Sequence, residues 1–273
     1  MSKLVFLDID GTIRSYDGTI PDSTVEAIAR AQANGHKICI NSGRPYFQIT
    51  DLLPGLSFDG IIAGTGSYVT YGGECLAHKV ITQFTYLALC HYLLEHDCVF
   101  HLMTYKSQYV LRQCLPGFES LGEDLSRTSG ISLADLAKNL PTVLDSPLDA
   151  CEIEKILFIS KSLSVEEIQK QWDTCFYIVP SSIPCPGYLS GEITPKHVTK
   201  SAGMRRIMER SGHSLQDVIA IGDSDNDIDM IRYAGLGIAM GNANDLTKAA
   251  ADYVTTPLKE DGIYHAFAYA GLL

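Results

Sequence analysis

A chain of 273 residues, 46% hydrophobic and 19% charged, can bury a stable interior and is longer than one mixed α/β core needs, so one large and one smaller domain are expected. Its 21 basic and 32 acidic residues give a net charge of -11, which argues against a nucleic-acid backbone or an anionic membrane surface as the main partner. The same balance repels a small anionic substrate, so a site for one must carry its own local cations or a metal.

In chain order, residues 3–7 form a short apolar run of the kind that makes a buried strand, ending at Asp8. Pro21 and Asp22 then open a helix with Val25, Ile28, Ala29 and Ala33 on one face, closed by Asn34-Gly35. The strand pattern returns at 36–40 and runs into Asn41-Ser42-Gly43-Arg44-Pro45, with Pro45 placed for the first turn of another helix. From about 83 to 190 the rhythm changes, with a helix at 85–95, strands at 99–104 and 108–112, a helix at 132–138, a strand at 154–159, a helix at 165–172 and a strand at 176–179. Turn signals at Gly72-Gly73 and at Pro184, Pro186 and Gly187 flank this stretch and fit two connections between domains. The first rhythm then resumes, with a helix at 200–211, a strand at 218–221, a helix from about 226 to 234, a strand at 236–240 and a helix at 245–251.

The expected fold class is therefore α/β, a Rossmann-like parallel sheet with an inserted α+β domain. The core spans 1–82 and 191–273, and the insert 83–190. In such a sheet ligands bind beyond the carboxyl ends of the strands, where Asp8 and Ser42 fall. The eight cysteines contain no C-x-x-C pair and the N-terminus enters a strand without a signal-peptide pattern, so a reduced, cytoplasmic protein is expected. The apolar run 84–94 is interrupted by Thr85, His91 and Tyr92 and is too short to cross a bilayer. No membrane partner is expected, and oligomeric state has no signature.

Two aspartates spaced i, i+2 at a strand end, Asp8-Ile9-Asp10-Gly11-Thr12, are hard to explain by packing, because close carboxylates repel unless a cation lies between them. A solvated Asp-Gly turn is the plainer alternative. A second acidic strand end, Gly222-Asp223-Ser224-Asp225-Asn226-Asp227, weakens that alternative. On the helix that follows, Asp227 shares a stripe with Met230, Ile231 and Ala234, so it starts the face that points to the core. Oxygen donors with no histidine beside them suit magnesium better than zinc. With the metal present, one carboxylate can attack phosphorus and a second can exchange a proton with the leaving oxygen, roles that fit Asp8 and Asp10.

Together, Asp8-x-Asp10-Gly11-Thr12, Ser42-Gly43-Arg44, Lys200 and Gly222-Asp223-x-x-Asn226-Asp227 resemble the four motifs of the haloacid dehalogenase-like (HAD) superfamily, across nearly the whole chain. The insert between the second and third motifs resembles that of the Cof-type sugar-phosphate phosphatases, which carry a C2B-type cap. The resemblance implies a magnesium-dependent phosphatase of small phosphorylated metabolites. Asp8 would be the nucleophile that becomes an aspartyl-phosphate and also a metal ligand, and Asp10 the general acid and base whose backbone carbonyl joins the metal shell. Asp223 would be the remaining protein ligand, with Asp227 supporting metal-bound water. Ser42 and Gly43 would hold phosphoryl oxygens, Lys200 would neutralise the phosphoryl group and Asp8, and Asn226 would contact phosphate or Lys200. Arg44 would bind a second anionic or hydroxylated part of the substrate, its plainer alternative being a salt bridge between elements.

Lys196 competes with Lys200 for the third motif, but Lys200 matches the family position better and sits where a helix begins. Ser42 replaces the more usual threonine and keeps the hydroxyl. Thr65, in Ala63-Gly64-Thr65-Gly66-Ser67, stands where related proteins tend to have asparagine, which bears on substrate choice. Two other functions stay open: phosphomannomutase-like phosphotransfer, whose fourth motif is usually longer and richer in glycine, and a metabolite sensor that binds without turnover. The intact Asp8, Asp10, Lys200 and Asp223 argue against the sensor.

Overall fold

The computed structural model describes residues 2–129, 142–181 and 187–273, with the backbone alone at 124–129. The chain divides into two compact units, Met1–His78 with Thr199–Leu273, and Lys79–Val198.

In the first unit the chain runs through β1 (Leu4–Leu7), α1 (Asp22–Ala33), β2 (Lys37–Asn41), α2 (Tyr46–Leu52), β3 (Gly60–Ala63), β4 (Tyr68–Tyr71) and β5 (Glu74–His78). The inserted unit follows with α3 (Gln83–Glu95), β6 (Val99–Met103), β7 (Gln108–Leu111), α4 (Leu115–Ser129), β8 (Thr142–Leu144), β9 (Lys155–Ser160), α5 (Val165–Trp172), β10 (Phe176–Pro180) and β11 (Leu189–Pro195). The chain re-enters the first unit with α6 (Lys200–Ser211), β12 (Val218–Gly222), α7 (Ile228–Tyr233), β13 (Leu236–Ala239), α8 (Asp245–Ala250), β14 (Tyr253–Val254) and α9 (Gly262–Tyr269).

The first unit is built on one eight-stranded sheet in the order β14-β13-β12-β1-β2-β3-β4-β5. Its strands are parallel from β14 through β3, and β4 and β5 add an antiparallel hairpin at the edge. All four residues of β1 are buried because both faces of the sheet are covered. Alternation along the strand sends Leu4 and Phe6 into one core and Val5 and Leu7 into the other. Strand β12 repeats the division, with Val218 and Ala220 on the first side and Ile219 and Ile221 on the second. Register does the rest: Leu7 lies opposite Ile40 of β2 and Ile221 of β12. The residues that follow these three strands, Asp8, Ser42 and Asp223, therefore emerge together at the carboxyl ends of adjacent central strands.

The second unit holds a six-stranded sheet in the order β10-β11-β9-β6-β7-β8, antiparallel except where β8 joins β7. Phe100, Leu102, Ile156 and Phe158 project from one face into a core shared with Leu89 and Leu93 of α3 and Ile168 of α5. On the other face Phe118 of α4 packs on His101 with ring centroids 4.5 Å apart. Among the described residues no helix is long and apolar enough to cross a membrane.

Several elements depart from the sequence reading. Gly72-Gly73 closes the β4–β5 hairpin instead of opening a connection between domains. The inserted unit runs to Val198 because β11 pairs with both β9 and β10, which carries the return point past the expected 191. The helix expected from 226 begins as a 3-10 turn at Asp225–Asp227 and becomes α-helical only at Ile228. The helix expected at 132–138 and the prolines 184 and 186 lie outside the described residues.

Candidate active site

The Asp8 loop leaves β1 in the direction of the ladder, since the Asp8 backbone N–H still donates to the Ile221 carbonyl at 3.0 Å. The chain then folds back on itself, with the Ile9 carbonyl accepting from Ile13 N at 3.0 Å and from Arg14 N at 2.9 Å. Gly11 makes that turn possible on two counts. Its φ is +84°, in the left-handed region, and a Cβ there would run into the Asp223 carboxylate. Thr12 is buried and donates its hydroxyl to Asp223 Oδ1 at 3.2 Å, tying the first acidic strand end to the second.

Asp227 is fully buried, and both its oxygens are engaged. Oδ2 accepts the backbone N–H groups of Asp223 and Ser224 at 3.0 Å each, and Oδ1 lies 2.5 Å from Lys200 Nζ. Gly222 leaves room for this carboxylate, which a Cβ at that position would strike. Lys200 is the first residue of α6, whose N-cap Thr199 accepts from Ala202 N at 3.1 Å. Its side chain is 0% exposed, and Nζ reaches Asp8 Oδ1 at 2.7 Å, Asp227 Oδ1 at 2.5 Å and Asn226 Oδ1 at 3.4 Å. Lys196 instead donates to the Asp173 carbonyl in the second unit, so of the two candidate lysines only Lys200 meets the acids.

At the end of β2, Ser42 Oγ accepts from the Arg44 backbone N at 3.2 Å, and the Ser42 carbonyl accepts from Thr65 N at 3.0 Å. Thr65 holds φ +61°, a left-handed conformation that asparagine takes readily and a β-branched residue rarely does. Arg44 meets Asp10 in a fork, Nε to Oδ2 at 2.5 Å and Nη2 to Oδ1 at 3.0 Å.

Burial sets the electrostatics. It pushes the Asp8 carboxyl up to about 7, with Asp227 adding to the rise and Lys200 opposing it. Asp223 goes up to about 8 through burial first, then through Asp8 and Asp227. Burial pulls the Lys200 ammonium down, but Asp227 and Asp8 outweigh it and the net shift is upward. The carboxylates of Asp8, Asp223 and Asp227 offer oxygens within 4.8 Å of one another, and Lys200 is the ammonium set among them. Once ionised, three buried acids against one lysine carry negative charge that a hard cation would balance. All-oxygen donors with no histidine among them suit such an ion.

The haloacid dehalogenase-like hydrolase family model matches residues 5–267. The chain belongs to this family. Among relatives of this haloacid dehalogenase-like hydrolase, YkrA of Bacillus subtilis is 29% identical over 100% of the chain and 99% of its own length. The 5-amino-6-(5-phospho-D-ribitylamino)uracil phosphatase YitU of the same organism is 28% identical over 95% and 94%. Among solved structures, the HAD subclass IIB sugar phosphatase BT4131 superposes with a TM-score of 0.78 at 29% identity, covering 100% of both chains.

In this haloacid dehalogenase-like hydrolase the fold gathers Asp8, Lys200, Asp223, Asn226 and Asp227 by direct contact or close approach, and Asp10 with Arg44 beside them. Ser42 is held at a neighbouring strand end, where its hydroxyl already accepts from the Arg44 backbone. One residue escapes the sequence reading. Asn242 donates Nδ2 to the Gly11 carbonyl at 2.9 Å and accepts from Leu258 N at 2.9 Å, bracing the Asp8 loop from behind β13. Its only signal in sequence is membership of the turn-like run Gly241-Asn242-Ala243-Asn244.

Proposed function

We propose that the chain is a magnesium-dependent phosphatase of small phosphorylated metabolites, sugar phosphates foremost, working through an aspartyl-phosphate on Asp8. The observation that carries the reading is the contact of Lys200 with both Asp8 and Asp227 at a buried strand end beside Asp223. An ammonium 2.7 Å from Asp8 Oδ1 holds that carboxylate in place and offsets the charge that gathers when it meets a phosphoryl group. The YitU and BT4131 names, a phosphorylated ribityl compound in one and sugars in the other, support the substrate class.

In this reading an Asp8 carboxylate oxygen bonds to phosphorus as the ester P–O bond breaks, and the departing alkoxide takes a proton from Asp10. Asp10 then removes a proton from water, whose oxygen bonds to phosphorus as the Asp8–phosphate bond breaks, releasing inorganic phosphate and restoring Asp8. Ser42 Oγ and the Gly43 backbone hold phosphoryl oxygens, and Asn226 helps to orient Lys200. Asp227, whose oxygens are given to Lys200 and to two backbone N–H groups, fixes the lysine and the Asp223 loop. Magnesium, when bound by the Asp8 and Asp223 carboxylates and the Asp10 backbone carbonyl, neutralises phosphoryl oxygens. The inserted unit serves as the cap.

A turnover screen across hexose, pentose, nucleotide and cofactor phosphates tests the reading. Hydrolysis should require magnesium, and Asp8→Asn should lower kcat by about three orders of magnitude or more on every ester. Wild-type turnover in that variant rules out Asp8 as nucleophile. Flat, negligible activity of the wild type on all four classes rules out the phosphatase.

A further inference from the structure

Arg44 commits three of its five guanidinium N–H donors to other side chains of the protein. Its guanidinium grips both oxygens of Asp10, at 2.5 Å through Nε and 3.0 Å through Nη2, in the paired planar geometry that sets the tilt of a carboxylate as well as its position. A third N–H, on Nη1, donates to Gln48 Oε1 at 3.4 Å. The arginine backbone is pinned as well, since its N–H donates to Ser42 Oγ at 3.2 Å and its carbonyl accepts from Gly64 N at 2.8 Å. Arg14 stands 3.9 Å from Asp10 Oδ1, beyond hydrogen-bond reach, so it contributes charge without fixing direction.

Asp10 needs such an anchor. It lies in the turn just after β1, its side chain is only partly buried, and a short carboxylate on a loop has several rotamers open to it. Proton transfer tolerates little misplacement, because the acid must lie within hydrogen-bond reach of the oxygen it serves. We infer that Arg44 is the positioning residue for Asp10, its fork selecting the rotamer from which that carboxyl meets the leaving oxygen and then water. The inference rests on the phosphatase reading above. It assigns Arg44 to the acid and not to a distal group of the substrate.

The two assignments separate in kinetics. Lysine keeps the charge of Arg44 but cannot make the fork, and methionine keeps much of its length without charge. With Arg44→Lys, kcat/KM on an alkyl phosphate, which reports the phosphorylation of Asp8 and whose leaving oxygen needs a proton, should fall about tenfold or more, while kcat/KM on p-nitrophenyl phosphate falls less than about threefold; kcat, which includes the water step that Asp10 serves for every ester, should fall on both. Arg44→Met should show the same pattern more strongly. In an Asp10→Asn background, Arg44→Lys should change kcat on the alkyl ester by less than about twofold, because the group it positions is gone. Equal losses in kcat/KM on the two esters, a rise in KM with kcat preserved, or additive effects in the Asp10→Asn background each overturn the inference while leaving the phosphatase intact. A wild-type chain that hydrolyses neither ester overturns both.

Discussion

Lys200 carries more of the site than any other single side chain, because it is the cation that keeps two buried carboxylates compatible. With no exposure at its own side chain or at that of Asp227, and 7% at Asp8, water cannot replace it. Removing one partner of such a group leaves the others charged without compensation, which costs about 3–5 kcal/mol. Lys200→Met should therefore lower both activity and stability: kcat by about a hundredfold or more, and the free energy of unfolding by about 3–5 kcal/mol at pH 8 without metal. Chemical denaturation alongside turnover checks both. Arginine is not an adequate substitute, since three acceptors gathered round one nitrogen suit a point charge better than a planar fork. A Lys200→Met chain with wild-type stability would mean that Asp8 and Asp227 do not depend on it.

At the scale of elements, the lysine is only as well placed as the helix that presents it. Helix α6 is fixed at its start by Thr199, whose hydroxyl takes the Ala202 N–H at 3.1 Å, and by Asp229, whose carboxylate takes the Ser201 N–H at 2.9 Å and hydroxyl at 3.0 Å. Gly203 lets its flank approach Ile62 of β3, where a Cβ would collide. Thr199→Ala should cost about 1 kcal/mol of stability, with Thr199→Ser close to neutral, as read from denaturation midpoints. If Thr199→Ala proves neutral, the cap bond is not what holds the helix start.

This helix was legible from sequence because its boundaries carry both a cap residue and a stopping glycine, Gly212 at φ +75°. The strands β1, β2 and β12 were legible for a related reason: both faces are buried, so each reads as an unbroken apolar run. The hairpin of β4 and β5 was not, since Tyr68–Tyr71 and the edge strand Glu74–His78 are partly exposed and lack a clean apolar period. Helix α4 was hidden by Pro116 and Gly117, which advertise a turn but sit in its first residues, where proline is tolerated. Helix α9 lacks a polar stripe, reading Gly-Ile-Tyr-His-Ala-Phe-Ala-Tyr. The acids and Lys200 were readable as a motif, whereas the partner of Arg44 was not. That contact joins residues 34 apart and depends on how the Asp8 loop turns at Gly11 and how the chain leaves β2.

For the whole molecule, the buried acids should make stability depend on pH and metal together. An unfolded aspartate has its ordinary value of 3.8, so between pH 6.5 and 8 the unfolded chain has lost protons that folded Asp8 and Asp223, raised to about 7 and about 8, still hold. A folded state that binds more protons loses stability as pH rises, by about 1.4 kcal/mol per pH unit for each proton retained. Glu154, pushed up to about 8 by burial and then by Glu152, adds to this slope from the second unit and is not among the three clustered acids. His101, which burial lowers to about 4, and His36, also lowered, act in the opposite sense, but an unfolded histidine is already half deprotonated at pH 6.5, its ordinary value, so only about 0.4 kcal/mol from each remains above that pH, less than the carboxyls contribute. Metal-free protein should thus melt at a lower temperature at pH 8 than at pH 6.5. Magnesium bound as proposed would compete with the protons on Asp8 and Asp223, so it should raise the melting temperature more at pH 8 than at pH 6.5. Asp223→Asn should shrink that magnesium increment at both values and leave the Glu154 part of the slope in place. Thermal melts in chelator and in excess magnesium decide it: an increment equal at the two pH values, or unchanged in Asp223→Asn, would mean that the buried acids are not where the ion binds.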